Sequence, residues 1–338
     1  MKAVGFLNSL PIEADDSLLD VDLSTPELRP KDLLVAVEAV SINPADAKRR
    51  IRTAVDQPHP EPFVLGYDAV GLVEAVGPDV TGFKQGDRVW YAGDVNRPGS
   101  YAELQAVDHR LVSHAPQSVD AAAAASMPLV SLTAWEMLFD RLQVRSEASG
   151  ETLLIIGGAG GVGSVTAQLA RKLTGLEVIA TASRSETEAW CRDMGAHHVV
   201  NHRDLIAQTR ATGTEFVDYI VQYADTAQHW DAMCELIAPQ GRIGTIVETD
   251  QKLDISALQG KSAALMWELM FTRSLFSTAD MACQGQILAR MARLIDDGVI
   301  RTTQTRVLGG LSAQTLKTAH EIIETGAMVG KLVVDYRG

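Results

Sequence analysis

The chain has 338 residues, a formal net charge of −13 and 46% hydrophobic residues, which is typical of a soluble globular protein with room for two domains. The acidic balance argues against nucleic acid and anionic membranes as partners, because both attract clustered Lys and Arg. We find no stretch of about 18 uncharged apolar residues and no signal-peptide cleavage region, so we expect a cytoplasmic protein without a membrane span. Three cysteines without a C-x-x-C pair argue against a structural zinc lobe and a disulfide framework.

The first 120 residues are predicted to be mostly β-structure, because short apolar or alternating runs are separated by Gly and Pro. These runs are residues 33–40, 69–76, 87–91 and 101–107. Their spacing suggests a barrel-like β domain. From residue 121 the composition changes to five alanines and a second apolar run, which predict helix interrupted at Pro128.

Residues 152–247 alternate between strand-like and helix-like patterns, which predicts a parallel sheet covered on both faces by helices. The predicted strands are 153–157, 176–182, 197–201, 216–223 and 241–248. The predicted helices are 161–173, 185–194 and 226–237, followed later by 281–297 and 315–325. A final strand is predicted at 331–335.

A glycine-rich turn lies between the first strand and the first helix of this alternating region. Gly158, Gly160 and Gly163 have the G-x-G-x-x-G spacing, with Gly161 and Val162 between them. In this context glycines let the backbone approach phosphates, and the helix N-terminus offers N–H groups and a positive dipole end. We predict that the turn binds the pyrophosphate of a dinucleotide; the alternative is a tight turn that binds nothing.

The end of the second strand indicates which dinucleotide is bound. NAD-binding units place an Asp or Glu there to hold the ribose 2′-hydroxyl, whereas this chain has Ser183 and Arg184. No carboxylate at that point repels a 2′-phosphate, and a guanidinium can pair with one. We therefore predict NADPH over NADH, with Ser183 and Arg184 as discriminators. Two alternatives stay open: Arg184 as a solvated turn residue, and Glu186 bending back toward the ribose.

Three patterns in order resemble the medium-chain dehydrogenase/reductase superfamily. They are the glycine-rich segments 66–77 and 83–89, the Leu-Thr-Ala element 132–134 followed by the glycine turn, and the closing segment 330–334. The resemblance covers essentially the whole chain and implies an α/β protein. It implies a GroES-like β-barrel catalytic domain at 1–124 and 268–338 and a doubly wound Rossmann coenzyme domain at 125–267. It also implies a homodimer, because relatives usually dimerise by extending the Rossmann sheet edge to edge.

Zinc-containing members of that superfamily have three ligands at positions that here are Asn43, Tyr67 and Leu129. These residues cannot form a catalytic zinc site, which needs donors from His, Cys or carboxylate. We therefore expect no metal. The segments Asn43-Pro-Ala-Asp46 and Gly66-Tyr67-Asp68 resemble the zinc-free quinone oxidoreductase branch. Segments 237–241, 253–256 and 267–274 are similar to a subgroup often labelled as zinc-binding alcohol dehydrogenases.

The absence of a Lewis acid favours an acceptor that is already polarised. Oxidation of a simple alcohol without a metal lacks the usual means of stabilising an alkoxide. In quinones and α,β-unsaturated carbonyls the carbonyl delocalises the charge that arrives with a hydride. We predict NADPH-dependent reduction of such a small-molecule substrate.

The resemblance also implies roles for individual residues. Asn43 would hold the nicotinamide ribose or the substrate oxygen, Tyr67 would donate its phenol to the acceptor oxygen, and Lys48 would be an electrostatic donor. The implied cofactor contacts are Thr133, Lys331 and His202, the last near the adenosine 2′-phosphate. Tyr67 as a packed aromatic, Lys48 as a surface residue and Thr133 as a helix-start residue are the open alternatives.

Two other functions remain possible from the sequence. One is an alcohol or aldehyde dehydrogenase that acts without zinc. The other is an NADPH-binding structural or regulatory protein with little turnover. The charge of −13 argues against an RNA partner for the latter.

Overall fold

A computed structural model of the chain describes residues 1–148 and 150–337. The chain divides into two compact units, one formed by Met1–Leu129 and Phe271–Gly338 and the other by Val130–Met270. The sequence-based division places its boundaries after residues 124 and 267, a few residues earlier at each end. Each unit is described by itself below.

The helices and strands follow one another in chain order. The N-terminal part contains β1 (Lys2–Phe6), β2 (Leu19–Asp22), β3 (Asp32–Ser41), α1 (Pro44–Arg52), β4 (Phe63–Val64), β5 (Ala69–Val76), β6 (Arg88–Tyr91), β7 (Leu104–Asp108), β8 (Ser113–His114) and α2 (Ala121–Ala125). The middle part contains α3 (Pro128–Trp135), β9 (Thr152–Ile156), α4 (Gly161–Leu173), β10 (Glu177–Thr181), α5 (Ser185–Asp193), β11 (His198–Val200), α6 (Leu205–Ala211), β12 (Val217–Gln222), α7 (Thr226–Leu236), β13 (Ile237–Thr245) and β14 (Ala264–Trp267). The C-terminal part contains α8 (Thr272–Leu275), α9 (Cys283–Asp296), β15 (Gln304–Gly309), α10 (Ala313–Glu324) and β16 (Lys331–Asp335).

The first unit is built on two sheets around an apolar core. A three-stranded sheet has the order β2-β1-β4, and a seven-stranded sheet has the order β15-β16-β3-β5-β6-β8, with β7 also paired to β3. The core includes Leu33 and Val35 of β3 and Leu332 and Val334 of β16. The last strand of the chain therefore completes a sheet begun by the first 120 residues, as the closing motif implies.

The second unit is a parallel sheet in the order β11-β10-β9-β12-β13-β14. The apolar run of β9 is completely buried at its centre, which is why it lacks the polar alternation of a half-exposed strand. Helices lie between successive strands, and the predicted α/β class with a doubly wound coenzyme domain is confirmed.

Three features of the second unit differ from the sequence prediction. Strand β13 begins at Ile237, four residues early, because Ile237 already pairs with Val217. Helix α6 and strand β14 were not predicted. Strand β14 has only four residues and lies at the sheet edge, where partial burial produces a weak periodic pattern.

The apolar run at residues 121–141 has the length and hydropathy of a membrane-spanning helix, and 89% of its most apolar window is buried inside the structure. A buried core helix satisfies the same two criteria, so this finding does not by itself indicate a membrane span. In detail the run is broken: α2 ends at Ala125 and α3 begins at Pro128, whose missing N–H is tolerated in a first turn.

Two buried glutamates share one arginine in the second unit. Glu136 begins a π-helical turn, Glu136–Arg141, that continues α3, and Glu268 follows β14. Arg141 Nε lies 2.7 Å from Glu268 Oε2, and Arg141 Nη2 lies 3.8 Å from Glu136 Oε2. Burial, together with the negative charge of Glu136, raises the pKa of Glu268 to about 8. Glu268 therefore retains its proton at neutral pH.

This raised pKa predicts a stability that depends on pH. Between pH 4.5 and 8 the unfolded chain ionises Glu268 while the folded chain keeps the proton, so the free energy of unfolding falls as pH rises through this window. We expect Glu268→Gln to remove this loss and to stabilise the protein at pH 8 by about 1–3 kcal/mol. Urea unfolding at pH 5 and pH 8 measures the difference.

Glu188→Gln is the matched control, because Glu188 is an exposed glutamate of the same unit. The control is expected to leave the pH dependence of the wild type intact. A Glu268→Gln protein that is equally or less stable at pH 8 than the wild type would contradict the assignment.

Candidate active site

The glycine turn connects the end of β9 to the start of α4. Gly157 has a φ of +90°, which the left-handed region allows for glycine at little cost. Its N–H donates to Thr181 Oγ1 at 3.0 Å, so the turn is bound to the end of the neighbouring strand β10. Gly160 is the N-cap of α4, and Gly161 and Val162 form the first turn of the helix.

Glycine suits the three positions of the motif for different structural reasons. A Cβ atom on Gly163 would lie 2.3 Å from the Gly157 carbonyl oxygen, and one on Gly158 would lie 2.8 Å from the Ala180 side chain. These two glycines allow the turn, strand and helix to pack closely. A Cβ on Gly160 meets nothing nearer than the Gly157 carbonyl at 3.7 Å, so the backbone there faces open space. This arrangement fits a dinucleotide pyrophosphate that approaches the backbone at Gly160.

Two polar side chains beside the turn were missed in the sequence. Thr166 on α4 and Tyr223 after β12 are joined through their hydroxyls at 3.0 Å, and burial raises the pKa of Tyr223 above its usual range. A Cβ on Gly157 would lie 3.4 Å from Tyr223, so the tyrosine packs directly against the glycine turn. The sequence carries no local signal for this pair, because the two residues are 57 positions apart.

The predicted 2′-phosphate contacts lie after β10 and β11. Ser183 and Arg184 are exposed, and Arg184 is the N-cap residue of α5. His202 is half-buried at the N-terminus of a short 3₁₀ turn, with its ring centroid 6.1 Å from that of His229. Burial and His202 together lower the pKa of His229.

In the first unit, helix α1 begins with a reciprocal cap. The N–H of Asn43 donates to Asp46 Oδ2 at 2.8 Å, so the carboxyl satisfies a backbone donor that the first turn leaves unpaired. Asp46 Oδ1 also accepts from the N–H of Gly66 at 3.1 Å. Asp46 is completely buried, and this burial raises its pKa to about 7 even though both backbone donors favour the ionised form.

The second buried carboxyl, Asp68, is surrounded by donors. Its Oδ2 accepts from Ser41 Oγ at 2.5 Å and from Asn43 Nδ2 at 2.9 Å, and its Oδ1 accepts from the N–H of Leu129 at 2.7 Å. Lys331 Nζ lies 3.4 Å from Oδ2. We call Ser41, Asn43, Asp46, Asp68 and Lys331 the buried polar network.

Lys331 lies inside this network rather than at the surface. It is 4% exposed, and its Nζ donates to the Ile42 carbonyl at 3.1 Å and to Asn43 Oδ1. Burial lowers its pKa, whereas the charge of Asp68 acts in the opposite direction. The side-chain amide of Asn43 therefore contacts Ser41, Asp68 and Lys331. Asn43 and Lys331, which the sequence analysis named as site residues, are thus both parts of the buried polar network.

Tyr67 lies in the sequence between Gly66, whose N–H donates to Asp46, and Asp68, a member of the buried polar network. It is 5% exposed, and its ring packs on Phe271 with centroids 4.6 Å apart. No hydrogen bond joins its hydroxyl to another described residue. Burial and the charge of Asp46 raise the pKa of Tyr67 above its usual range, so the phenol keeps its proton and can donate a hydrogen bond.

The two remaining predicted residues lie on helices. Lys48 is half-buried on α1, and Thr133 is buried on α3 with 4% of its surface exposed. Sequence reasoning missed Ser41, Asp46 and Asp68. Asp46 and Asp68 stand in the same short motifs as Asn43 and Tyr67, and their presence there was the signal that could have identified them.

The donor set does not fit a catalytic zinc ion. Of the three positions, Asn43 has its amide engaged in the network, Tyr67 retains its proton and Leu129 is apolar. All three cysteines are free, and within residues 1–148 and 150–337 no group of three or more His, Cys, Asp and Glu side chains could hold a metal ion.

The chain matches two family descriptions. Residues 29–117 match the alcohol dehydrogenase GroES-like domain, and residues 194–334 match the zinc-binding dehydrogenase family. The zinc-type alcohol dehydrogenase-like protein SAS2087 of Staphylococcus aureus is 41% identical over 99% of this chain and 100% of its own length. A chloroplastic NADPH-dependent alkenal/one oxidoreductase of Arabidopsis thaliana is 36% identical over 54% of this chain and 48% of its own length.

Solved structures agree with this family. A protein of Rhizobium etli CFN 42, whose crystal structure is described as that of a zinc-dependent alcohol dehydrogenase protein, is 46% identical to this chain. The two structures superpose with a TM-score of 0.95 over 99% of this chain and 98% of the other. The quinone oxidoreductase of Coxiella burnetii has 27% identity, a TM-score of 0.82 and coverage of 99% of each chain. Mycobacterial Rv1454c in complex with NADPH has 28% identity, a TM-score of 0.84 and coverage of 99% and 100%.

The chain therefore belongs to the medium-chain dehydrogenase/reductase superfamily of oxidoreductases. Its β-rich unit is the GroES-like part, and its parallel-sheet unit is the Rossmann-like part. The zinc in the names of several relatives does not suit the donor set described above.

The glycine geometry predicts two separable effects. Gly160→Ala adds a Cβ into open space, so we expect unchanged thermal stability and dinucleotide binding weakened about tenfold or more, because phosphate approach is blocked. Gly163→Ala forces a clash with backbone and is expected to lower the melting temperature as well. Calorimetric titration and thermal unfolding of both variants measure the difference. Equal dinucleotide affinity in Gly160→Ala and wild type would contradict this placement.

Proposed function

We propose that the protein is an NADPH-dependent oxidoreductase that transfers a hydride to a quinone or an α,β-unsaturated carbonyl without catalytic zinc. The observation that carries the proposal is the protonated Tyr67 phenol at a position where zinc-containing relatives have a metal ligand. A hydrogen-bond donor at this position suits an acceptor whose oxygen gains negative charge.

The relatives support the same chemistry. The Coxiella burnetii protein is named a quinone oxidoreductase, and the Arabidopsis thaliana protein is named an NADPH-dependent alkenal/one oxidoreductase. The second similarity covers only about half of this chain. Both acceptor classes place a carbonyl in conjugation with the carbon that receives the hydride.

The chemistry divides between the dinucleotide and the protein. The bound dinucleotide supplies the hydride, and the residues of this chain stabilise the product. As the acceptor carbon gains the hydride, electron density moves to the carbonyl oxygen, which becomes an enolate or quinolate. The Tyr67 phenol donates a hydrogen bond, and then its proton, to that oxygen. The network on either side of Tyr67 keeps the phenol in place before the charge develops.

NADPH is the proposed dinucleotide, with Ser183 and Arg184 at its 2′-phosphate. Both residues are exposed at the end of β10, where an NAD-binding unit would have a carboxylate. His202 is the proposed contact with the adenosine end. The relative of known structure that was solved with NADPH supports this choice.

A homodimer through the edge of the Rossmann-like sheet remains a proposal. Strand β14 is the last strand on that side. The large apolar side chains of Trp267, at its end, and Leu269, two residues further on, are each 51% exposed. An unpaired, apolar strand edge of this kind favours pairing with a second copy. The expected cytoplasmic location likewise stays a prediction.

The test of the function is NADPH oxidation at about 340 nm with a naphthoquinone, an ortho-quinone, an enone and a simple aldehyde, with and without a chelator. We expect turnover of quinone or enone that resists the chelator. Turnover of the aldehyde alone would favour an alcohol or aldehyde dehydrogenase. Dinucleotide binding without turnover of any acceptor would favour a structural or regulatory protein.

Replacing Arg184 tests the cofactor choice. We expect Arg184→Ala to weaken NADPH binding by about tenfold to a hundredfold and to leave NADH binding almost unchanged, because only NADPH offers a 2′-phosphate. Fluorescence titration with both dinucleotides gives the ratio. An unchanged dissociation constant for NADPH would refute the assignment of Arg184.

Replacing Tyr67 tests the donor role. Tyr67→Phe keeps the ring on Phe271 and removes only the hydroxyl, so we expect kcat/KM for the acceptor to fall by about tenfold to a thousandfold at unchanged NADPH affinity. Steady-state kinetics and calorimetry supply both numbers. If kcat/KM is unchanged, Tyr67 is a packed aromatic and not a donor.

A further inference from the structure

The two buried carboxyls of the network play different structural roles. Asp68 is bound by Ser41, Asn43 and the N–H of Leu129, and it faces Lys331. Asp46 accepts backbone N–H groups, from Asn43 and Gly66. The ammonium of the network is therefore directed at Asp68, and among the described residues Asp46 has no side-chain cation as a hydrogen-bond partner.

Asp46 is also directly connected to Tyr67 through the backbone. Its Oδ1 holds the N–H of Gly66, the residue before Tyr67, and Gly66 itself has little freedom. Gly66 has a φ of +103°, which favours glycine. A Cβ atom there would lie 2.4 Å from Ser100 Oγ and 2.5 Å from the Tyr101 ring. The hydrogen bond from Gly66 to Asp46 and the close packing at Gly66 therefore both restrain the backbone that carries Tyr67.

The charge of Asp46 acts on the same phenol. Both groups are buried, and the negative charge of Asp46 contributes to raising the pKa of Tyr67, whereas the charge of Arg49 lowers it. Other titratable or charged groups also face Asp46. They are Asp68, Lys331, Tyr67, Tyr101 and Tyr336.

We propose that Asp46 is a positioning residue that holds Tyr67 through the Gly66 amide and, by its charge state, sets how readily the Tyr67 phenol gives up its proton. This inference rests on the proposed function, in which Tyr67 is the donor. Neutral Asp46 leaves the phenol a better donor to the product oxygen, and ionised Asp46 makes it a poorer one. In the transfer itself the proton leaves Tyr67 for the enolate or quinolate oxygen, and Asp46 keeps its protonation state. A proton from water then restores the phenol.

A fall in rate with rising pH follows from this arrangement. Because the pKa of Asp46 is about 7, its ionisation coincides with neutral pH. We expect kcat of the wild type to decrease about threefold to tenfold between pH 6 and pH 8, since general-acid catalysis depends on the acidity of the donor. In Asp46→Asn the carboxyl is absent, so this decrease should disappear. In Tyr67→Phe it should be absent as well, whatever the residue at 46.

Glu268→Gln is the matched control for this experiment. Glu268 is also a buried carboxyl with a raised pKa, but it belongs to the other unit, and the charges that shift the pKa of Tyr67 are those of Asp46 and Arg49. The control should retain the decrease in kcat near pH 7. Arg49→Gln is a second test that leaves Asp46 in place: its kcat should be lower at every pH, with the midpoint unchanged, because a cation near the phenol is removed.

An NMR titration measures the same coupling without turnover. The six tyrosines are replaced by 3-fluorotyrosine, and the ¹⁹F signal of Tyr67 is identified by its loss in Tyr67→Phe. We expect this signal to shift with a midpoint near pH 7 in the wild type and not to shift in Asp46→Asn. If Asp46→Asn does not fold, the wild-type titration and Arg49→Gln still decide the question.

The outcomes separate the two proposals. A ¹⁹F signal that does not move near pH 7 in the wild type overturns the inference, whether or not the protein turns over an acceptor. The same holds if Asp46→Asn lowers kcat at all pH values without changing its pH dependence, because Asp46 is then only structural. A wild type that reduces no quinone or enone but shows the ¹⁹F shift overturns the proposed function and leaves the coupling of Asp46 to Tyr67 in place.

Discussion

The carboxylate of Asp68 is the constraint on which the candidate active site depends. A buried charge is costly unless it is compensated by donors and a counter-ion, and Asp68 obtains them from four separate segments of the chain. These are the end of β3 through Ser41, the cap of α1 through Asn43, the start of α3 through Leu129, and the last strand through Lys331. The site is therefore complete only when β16 has joined the sheet, 263 residues after Asp68.

The same network keeps the site organised without the metal ligands that zinc-containing relatives are expected to have at these positions. In place of three metal donors, the chain has an engaged amide, a protonated phenol and an apolar side chain at Asn43, Tyr67 and Leu129. Lys331 compensates the charge of Asp68. In the function we propose, the Tyr67 phenol has the electrophilic role that a metal ion has in zinc-containing relatives. A phenol is a weaker electrophile than a metal ion, and it is sufficient for the proposed acceptors because a conjugated carbonyl already delocalises most of the charge.

The Rossmann-like unit has a different kind of constraint, which is steric. Gly158 and Gly163 are required because a Cβ atom at either position would lie only 2.8 Å or 2.3 Å from its nearest neighbour, whereas Gly160 leaves its side open. Such a turn presents backbone N–H groups without a side chain in the way, and the hydroxyl of Thr181 fixes it to the next strand. The pair Glu136 and Glu268 lies in the same unit, where burial and the charge of Glu136 raise the pKa of Glu268.

The sequence by itself determined the features that depend on local pattern: the glycine turn, the alternation of strands and helices, the closing strand at 331–335, and residue types that cannot bind zinc. It left β14 unpredicted because a four-residue edge strand has little periodicity. Only the tertiary structure brought Asp46 and Asp68 to Lys331, placed Phe271 on Tyr67 and buried Glu136 beside Glu268. These contacts join residues far apart in the chain, and their energies depend on burial, which no local pattern of residue types encodes.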